Sequence, residues 1–346
     1  MSLEEREATM QGQDIVAAIR ATYADLLADH PLLRGNAVLA TPPVREAATL
    51  VFDKARRARS SVAFWAHPLS GKSSCIAALR KLAPTQFPQC GFIVYEPSSK
   101  EVPAEGALIE DLLSEIDYET RIDRTLTGKR NQLERALYSI AITGRRLFFV
   151  IDEAQNLHAK ELGWLKRVVN WLTVRDIKVT VVLFGQSQLC AMHDRLKVQM
   201  PDLSERFMSR LNEFRSLQDA SDIQMCLRCC DEGTEYPAGS GWSYTQYLWP
   251  RAFENGFRLA KCANDLYDAF RARSGGGIDH EGVSMQWVAE ALMLVGLEAE
   301  ASDAAELVIS KDVWEQAIED SDYGVRTPPA MATSGLRIKS KRRSAG

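Results

Sequence analysis

The stretch Ala66-His67-Pro68-Leu69-Ser70-Gly71-Lys72-Ser73 constrains this chain more than any other part of its sequence. It follows an apolar run, Val62-Ala63-Phe64-Trp65, with the character of a buried strand. It precedes Ser74-Cys75-Ile76-Ala77-Ala78-Leu79, which reads as the start of a helix. A strand, a tight loop carrying Gly-Lys-Ser and a helix form the context that a phosphate-binding loop requires. The backbone N–H groups of such a loop converge, with the helix N-terminus, on an anion. Lys72 is then placed to reach the outer phosphates and the Ser73 hydroxyl to ligate Mg²⁺. Ala66, His67, Pro68, Leu69, Ser70, Gly71, Lys72, Ser73 and Ser74 are the candidate nucleotide-binding residues. The first position departs from the usual pattern, because alanine replaces glycine there. Alanine keeps the turn only if its backbone does not need a positive φ.

About 80 residues downstream, Leu147-Phe148-Phe149-Val150-Ile151 is a second strand-like run, and it ends in Asp152-Glu153. Ligands of parallel α/β sheets sit at the carboxyl ends of the strands. Acids at that position suit two tasks: Asp152 as a Mg²⁺ ligand, directly or through water, and Glu153 polarising the attacking water. The alternative is that both acids open the next helix, where they favour the positive dipole end. A third run, Val179-Thr180-Val181-Val182-Leu183-Phe184, ends in Gly185-Gln186. Gln186 either faces the same pocket, orienting water or touching the γ-phosphate, or is a turn residue with its amide in solvent.

Strands alternate with helical segments. Gly91–Tyr95 is a further strand, Ala104–Tyr118 carries Leu108, Leu112, Leu113 and Ile116 on one helical face, and Leu133, Leu137 and Ile140 mark another helix. Glu161–Val174 places Leu162, Leu165, Val168, Val169 and Leu172 inward. This alternation predicts an α/β fold with a parallel, helix-covered sheet of five strands, the fifth near Phe214–Leu217. Ahead of it, residues 12–30 carry helical spacing, and Thr41-Pro42 reads as a helix start running to about Arg59. From Asp219 the pattern is helical: Ile223–Cys230, Trp249–Glu254, Leu259–Arg271, Trp287–Gly296 and Val313–Ile318. Tyr236–Pro250 is expected to be a loop packed by Trp242, Tyr244, Tyr247 and Trp249. Gly275-Gly276-Gly277 marks a break. The expected organisation is an N-terminal helical extension over 1–60, an α/β core over 61–218, a helical lid and C-terminal region over 219–325 and a basic tail over 326–346.

The 346 residues carry a net charge of −4, so nucleic acid would have to be met by a local patch. No apolar run approaches ~18 residues, which excludes a helical membrane span by pattern. Seven cysteines, an odd and scattered set, together with a charged start lacking an apolar signal core, lead to the expectation of a reduced, cytoplasmic protein. Cys226, Cys229 and Cys230 form the one cluster. It reads either as part of a metal site or as apolar fillers on a helix, and the missing fourth ligand favours the second. The tail Arg337-Ile338-Lys339-Ser340-Lys341-Arg342-Arg343 is either solvated disorder or a short peptide recruiting protein or DNA.

The phosphate loop, the acid pair, the polar end of the next strand and the helical region after the sheet together resemble the AAA+ ATPases. Within them the chain looks like the TnsC/TniB group of transposition regulators. His30-Pro31, Thr41-Pro42, Phe64-Trp65, Asp152-Glu153-Ala154-Gln155-Asn156-Leu157 and Phe184-Gly185-Gln186-Ser187-Gln188-Leu189 carry the likeness, over about residues 25 to 270. The Asp-Glu-Ala-Gln-Asn-Leu string also occurs in secretion-linked ExeA-like ATPases, so a signalling or secretion switch without DNA binding is the alternative. The transposition resemblance implies ATP and Mg²⁺ as ligands and slow, assembly-regulated hydrolysis. It also implies homo-oligomeric rings or helical filaments on duplex DNA, and partnership with transposase subunits and a target-selection protein. That selector would be an RNA-guided complex or a sequence-specific DNA binder. Arg206 and Arg210 lie where family members carry a trans-acting arginine, and Arg258 where the lid carries a phosphate sensor; each has a plain surface charge as its alternative. Lys100, Arg121, Arg124, Lys129 and Arg130 fall in the stretches that line the DNA channel in this group. With Asp123 interleaved, a solvated face remains the other reading.

Overall fold

The computed structural model describes residues 23–57, 61–116, 118–274, 282–321 and 323. The first part of the expected 12–30 helix, the break at Gly275–Gly277 and the basic tail lie outside the described residues. Five parallel strands form one sheet in the order β2-β3-β4-β1-β5. They are β1 (Ser61–Trp65), β2 (Gly91–Tyr95), β3 (Arg146–Ile151), β4 (Lys178–Gly185) and β5 (Leu211–Glu213). Every residue of β3 is buried, as a central strand covered on both faces requires. Each apolar side chain so placed contributes about 1.5–3 kcal/mol relative to exposure.

The two-residue repeat of the strands sorts their side chains between two cores. Leu147, Phe149 and Ile151 of β3 join Val181 and Leu183 of β4. This face packs on α3 (Glu105–Glu115), α4 (Leu126–Ala141), α5 (Ala159–Val174), α6 (Gln188–Gln199) and α7 (Pro201–Met208). Phe148 and Val150 face the other way with Phe64 and Phe184, against α1 (Pro42–Arg56) and α2 (Lys72–Gln86). Register places Phe64 opposite Phe184, and their rings stack with centroids 5.0 Å apart.

The fifth strand differs from the sequence expectation. Its ladder runs at Leu211–Glu213, paired with Ala63–Trp65 of β1. Phe214 follows as a buried side chain against Phe184, and Leu217 forms an antiparallel bridge with Val283. The apolar run marked core-facing side chains. The strand itself is a half-exposed edge whose extent is set by β1, and it carries no apolar alternation.

A third core holds the helices that follow the sheet: α8 (Ala220–Glu232), α9 (Ala263–Arg273), α10 (Met285–Leu297) and α11 (Lys311–Asp320), around Trp249, Trp287 and Trp314. Asp231 is 4% exposed and accepts from Thr245 Oγ1 and the N–H groups of Leu259 and Ala260, joining α8 to the segments after it. Burial pushes its carboxyl above the usual range, against those hydrogen bonds. Tyr244–Leu248 is a short helix rather than loop. Tyr244, Tyr247 and Trp249 are buried, whereas Trp242 is exposed. Cys226, Cys229 and Cys230 are buried on α8, and burial drives the Cys226 and Cys230 thiols well up, so they act as apolar fillers.

Residues 32–52 divide between two cores. Leu32 and Leu39 belong to the helical core, while Val44, Val51 and Phe52 of α1 belong to the sheet. His30 is fully buried among the rings of Tyr236, Tyr244 and Tyr247, with centroids 4.8, 4.9 and 5.4 Å away. It anchors the linker of residues 31–41 to the helical region. Among the described residues no helix is long and apolar enough to cross a membrane.

Candidate nucleotide site

The loop after β1 begins as sheet. Ala66 is fully buried, and its N–H donates to Gly185 O at 2.9 Å, so it extends the β1–β4 ladder. It is absent from the positive-φ residues, and alanine serves there without strain. The left-handed positions lie further on, at Leu69 (φ 64°) and at Gly71 (φ 94°), the N-cap of α2. The first helical bond of α2 runs from Cys75 N–H to Gly71 O at 3.0 Å. The N–H groups of Lys72, Ser73 and Ser74 are therefore outside the helical ladder, as expected of a first turn.

A cavity of about 480 Å³ opens over this turn. Leu69, Ser70, Gly71, Lys72, Ser73 and Ser74 line one side. Met285, Gln286, Ala289, Glu290 and Met293 of α10 line the other, with Gly35 and Ala37 of the linker. His67 and Pro68 lie outside that lining; the His67 ring instead meets Trp65 edge-on at 5.4 Å. The volume falls within the range of small-molecule and cofactor pockets. Helix α10 starts against the loop: Met285 Cβ would lie 3.4 Å from a Cβ on Gly71. The Ser70 hydroxyl is buried without a hydrogen-bond partner among the described residues, which leaves a donor for an anion in the lining.

Lys72 connects the cavity to the strand ends. Its Nζ is 3.3 Å from Glu153 Oε1, with side-chain exposures of 10% and 22%. Glu153 Oε2 accepts from Gln155 Nε2 at 2.6 Å and from Gln186 Nε2 at 2.9 Å. The Gln186 N–H donates to Gln155 Oε1 at 3.0 Å. Asp152 accepts from the Glu153 N–H at 2.9 Å, and its own N–H donates to Tyr95 O. The structure thus brings Lys72, Glu153 and Gln186 into one network at the carboxyl ends of β1, β3 and β4. Asp152 sits close enough to feel the Lys72 charge.

The neighbouring acids are pushed in opposite directions. Burial raises Asp152, although the Glu153 N–H and Lys72 oppose it. Burial also acts to raise Glu153, but the hydrogen bond from Gln155, the Lys72 charge and the bond from Gln186 outweigh it and hold Glu153 below the ordinary glutamate range. Divergence within a pair of carboxyls is the signature of divided roles. Glu153 is also a non-glycine residue in the left-handed region (φ 48°), a strain of about 1–2 kcal/mol. Such outliers cluster at functional sites.

Among the described residues no group of three or more His, Cys, Asp or Glu could hold a metal ion by itself. The Ser73 hydroxyl, in the cavity lining, and the half-buried Asp152 carboxylate, at the end of β3, are oxygen donors of the kind Mg²⁺ takes beside phosphates and water.

Other candidate residues stand elsewhere. Arg206 is drawn onto Asn170 Oδ1 at 3.0 Å, whereas Arg210 is exposed and its guanidinium has no partner among the described residues. Arg258 lies over the Phe253 ring at 3.6 Å, donates to Phe253 O and Phe257 O, and is outside the cavity lining. Of the five basic residues between positions 100 and 130, three are internally neutralised: Lys100 by Asp111, Lys129 by Glu110 and Arg130 by Glu105. Arg121 and Arg124 are exposed without side-chain partners among the described residues. Sequence reasoning missed Gln155, although it stands two residues past Glu153 in a motif already singled out. It also missed the cavity wall of α10, because periodicity identifies a helix but not what it packs against.

Residues 55–192 match the family model of an AAA domain. No curated protein matches the chain. Among solved structures, the chain is similar to the ORC2 protein of Aeropyrum pernix. In the ADPNP–ADP complexes the likeness has 12% identity, 85% of this chain, 72% of that chain and a TM-score of 0.53. In the ADP form it has 12% identity, 84% and 72% coverage and a TM-score of 0.52. The fold is that of the AAA+ P-loop NTPases, with the helical region following the sheet.

Proposed function

We propose that this AAA+ chain binds and hydrolyses ATP in the cleft between the loop and α10, and that it uses the nucleotide to assemble on duplex DNA. The observation that carries the reading is the Lys72–Glu153–Gln186 network, which gathers a cation, a carboxylate base and an amide donor beside the loop. The ORC2 protein that shares its fold was solved in ADP and ADPNP–ADP forms.

In this reading Lys72 and the loop amides bind the phosphates. Glu153 accepts the proton of the attacking water, and Gln186 Nε2 donates toward the γ-phosphate. Positioning and charge stabilisation carry most of phosphoryl transfer. Ser73 and Asp152 would hold Mg²⁺, which supplies charge neutralisation on the phosphates when bound. Arg210, exposed and without a side-chain partner among the described residues, is better suited than Arg206 to act on a neighbouring subunit's nucleotide.

Arg121 and Arg124 are the candidates to grip DNA phosphates. Repetition around a ring or filament offsets the acidic net charge, and contacts of this kind are sequence-tolerant and salt-sensitive. The likeness of the motifs to the TnsC/TniB group favours a regulator linking a target selector to a transposase. The test is phosphate release from Mg-ATP, with filter binding of random duplex DNA with and without a non-hydrolysable ATP analogue across a salt series. The reading expects hydrolysis, together with DNA binding that needs nucleotide and falls steeply with salt. DNA binding indifferent to both refutes the DNA half. Absence of ATP binding at millimolar concentration refutes the whole.

A further inference from the structure

We propose that Gln155 is a positioning residue for hydrolysis, a single amide that fixes Glu153 at the end of β3 and Gln186 at the end of β4 against each other. The inference rests on the reading of the cleft as a site of ATP hydrolysis.

Gln155 uses both ends of its amide. Its Nε2 donates to Glu153 Oε2 at 2.6 Å, and its Oε1 accepts from the Gln186 N–H at 3.0 Å. A carboxylate only accepts and a backbone N–H only donates, so the two partners dictate the orientation of the amide. The backbone is arranged for this bridge. Glu153 takes the left-handed conformation and caps the 3₁₀ turn Ala154–Asn156, which returns residue 155 toward residue 153. At the end of β4, a Cβ on Gly185 would stand 2.7 Å from Gln155 Oε1, so a residue without a side chain is what lets the amide cross.

The consequence is a division of labour between the oxygens of Glu153. Oε2 is held by Gln155 and Gln186, while Oε1 faces Lys72. When Lys72 turns to phosphate, Oε1 becomes the oxygen open to a water, and Gln155 keeps the carboxylate from following the lysine. The same amide holds the Gln186 backbone, so the base and the γ-phosphate donor share one reference point. Misplacement of a catalytic group by about 1 Å costs on the order of 10²-fold in rate.

The experiment compares the full chain with Q155M, which keeps volume and loses both bonds, and Q155E, which keeps an acceptor for Gln186 but sets a carboxylate against Glu153. E153Q and the double variant E153Q/Q155M complete a cycle. Steady-state and single-turnover hydrolysis are measured beside a fluorescent-nucleotide titration. We expect kcat to fall about 10–100-fold in Q155M and Q155E, with KM and nucleotide affinity within about two-fold of the parent. In the E153Q background, Q155M should cost clearly less than in the parent, because the part of its effect that passes through Glu153 is already lost and only its hold on Gln186 remains. A Q155M or Q155E as fast as the parent overturns the inference. So do losses that multiply in the double variant, or a nucleotide affinity that falls in step with kcat. Absence of hydrolysis by the unmodified chain instead overturns the reading on which the inference stands.

Discussion

Replacing Glu153 by glutamine should tighten ATP binding while nearly abolishing hydrolysis. The magnitude follows from one ion pair. Lys72 Nζ and Glu153 Oε1 are 3.3 Å apart, with little exposure on either side chain. At an effective dielectric of ~20 their attraction is about 5 kcal/mol. Desolvation takes back much of that, and hydrogen bonds to charged groups retain a net of about 1.5–3 kcal/mol. A triphosphate competes with Glu153 for the same ammonium, so part of this net opposes ATP binding. Glutamine preserves the shape and removes the charge. Mg-ATP affinity should then rise about 10-fold, or ~1.4 kcal/mol. Loss of the general base should slow hydrolysis by about 10²–10⁴-fold. Without nucleotide the variant should melt lower than the parent. Its amide meets donors on both sides, from Gln155 and Gln186 and from Lys72, and the one mismatched contact costs about 1–3 kcal/mol. Calorimetric titration, phosphate release and melting curves with and without ATP read all three. A folded E153Q that binds Mg-ATP more weakly than the parent, or hydrolyses it at the parental rate, refutes the reasoning.

Lys72→Ala should lower ATP affinity at least about 10²-fold, since it removes the lysine of the loop lining the cavity and takes away the cation paired with Glu153; calorimetry decides, and parental affinity would be contradictory. Arg121→Ala with Arg124→Ala should weaken binding to all duplexes alike and reduce the slope of log K against log salt by about 1.8, while Arg130→Ala should lower the melting temperature by leaving Glu105 with Arg167 as its one remaining ion-pair partner among the described residues. Equal DNA effects from all three positions would place the patch elsewhere. His30 is held neutral: burial lowers its pKa to about 4, against ~6.5 in the unfolded chain. The unfolded state therefore binds the extra proton first as pH falls, and stability should drop between pH ~6.5 and ~4 by up to about 3 kcal/mol. The melting-temperature gap between the parent and His30→Leu should shrink across that window, and a constant gap would exclude His30 as the source.

Four strands were legible because each is an apolar run bounded by turn residues, and three of them, β1, β3 and β4, lead directly into residues of the candidate site; this patterning is local information. The loop was legible for the same reason, since Gly71 must take a left-handed φ at the N-cap of α2. Even the Ala66 question had a local form, whether its φ is positive, although the answer came from its pairing with Gly185. The fifth strand was misplaced by a few residues because an edge strand borrows its extent from β1 and needs no apolar rhythm of its own.

The sequence by itself determined which chemistry the strand ends carry: a lysine in a tight loop, two acids and an amide, each tied to a strand that had to be buried. Tertiary structure decided who meets whom. It paired Lys72 with Glu153, stood Gln155 between Glu153 and Gln186, laid α10 over the loop, and neutralised Lys100, Lys129 and Arg130 while leaving Arg121 and Arg124 without side-chain partners among the described residues. The reason is range: backbone propensity and periodicity act over a few residues, whereas the partners of a charge are chosen by packing between segments that lie far apart in the chain.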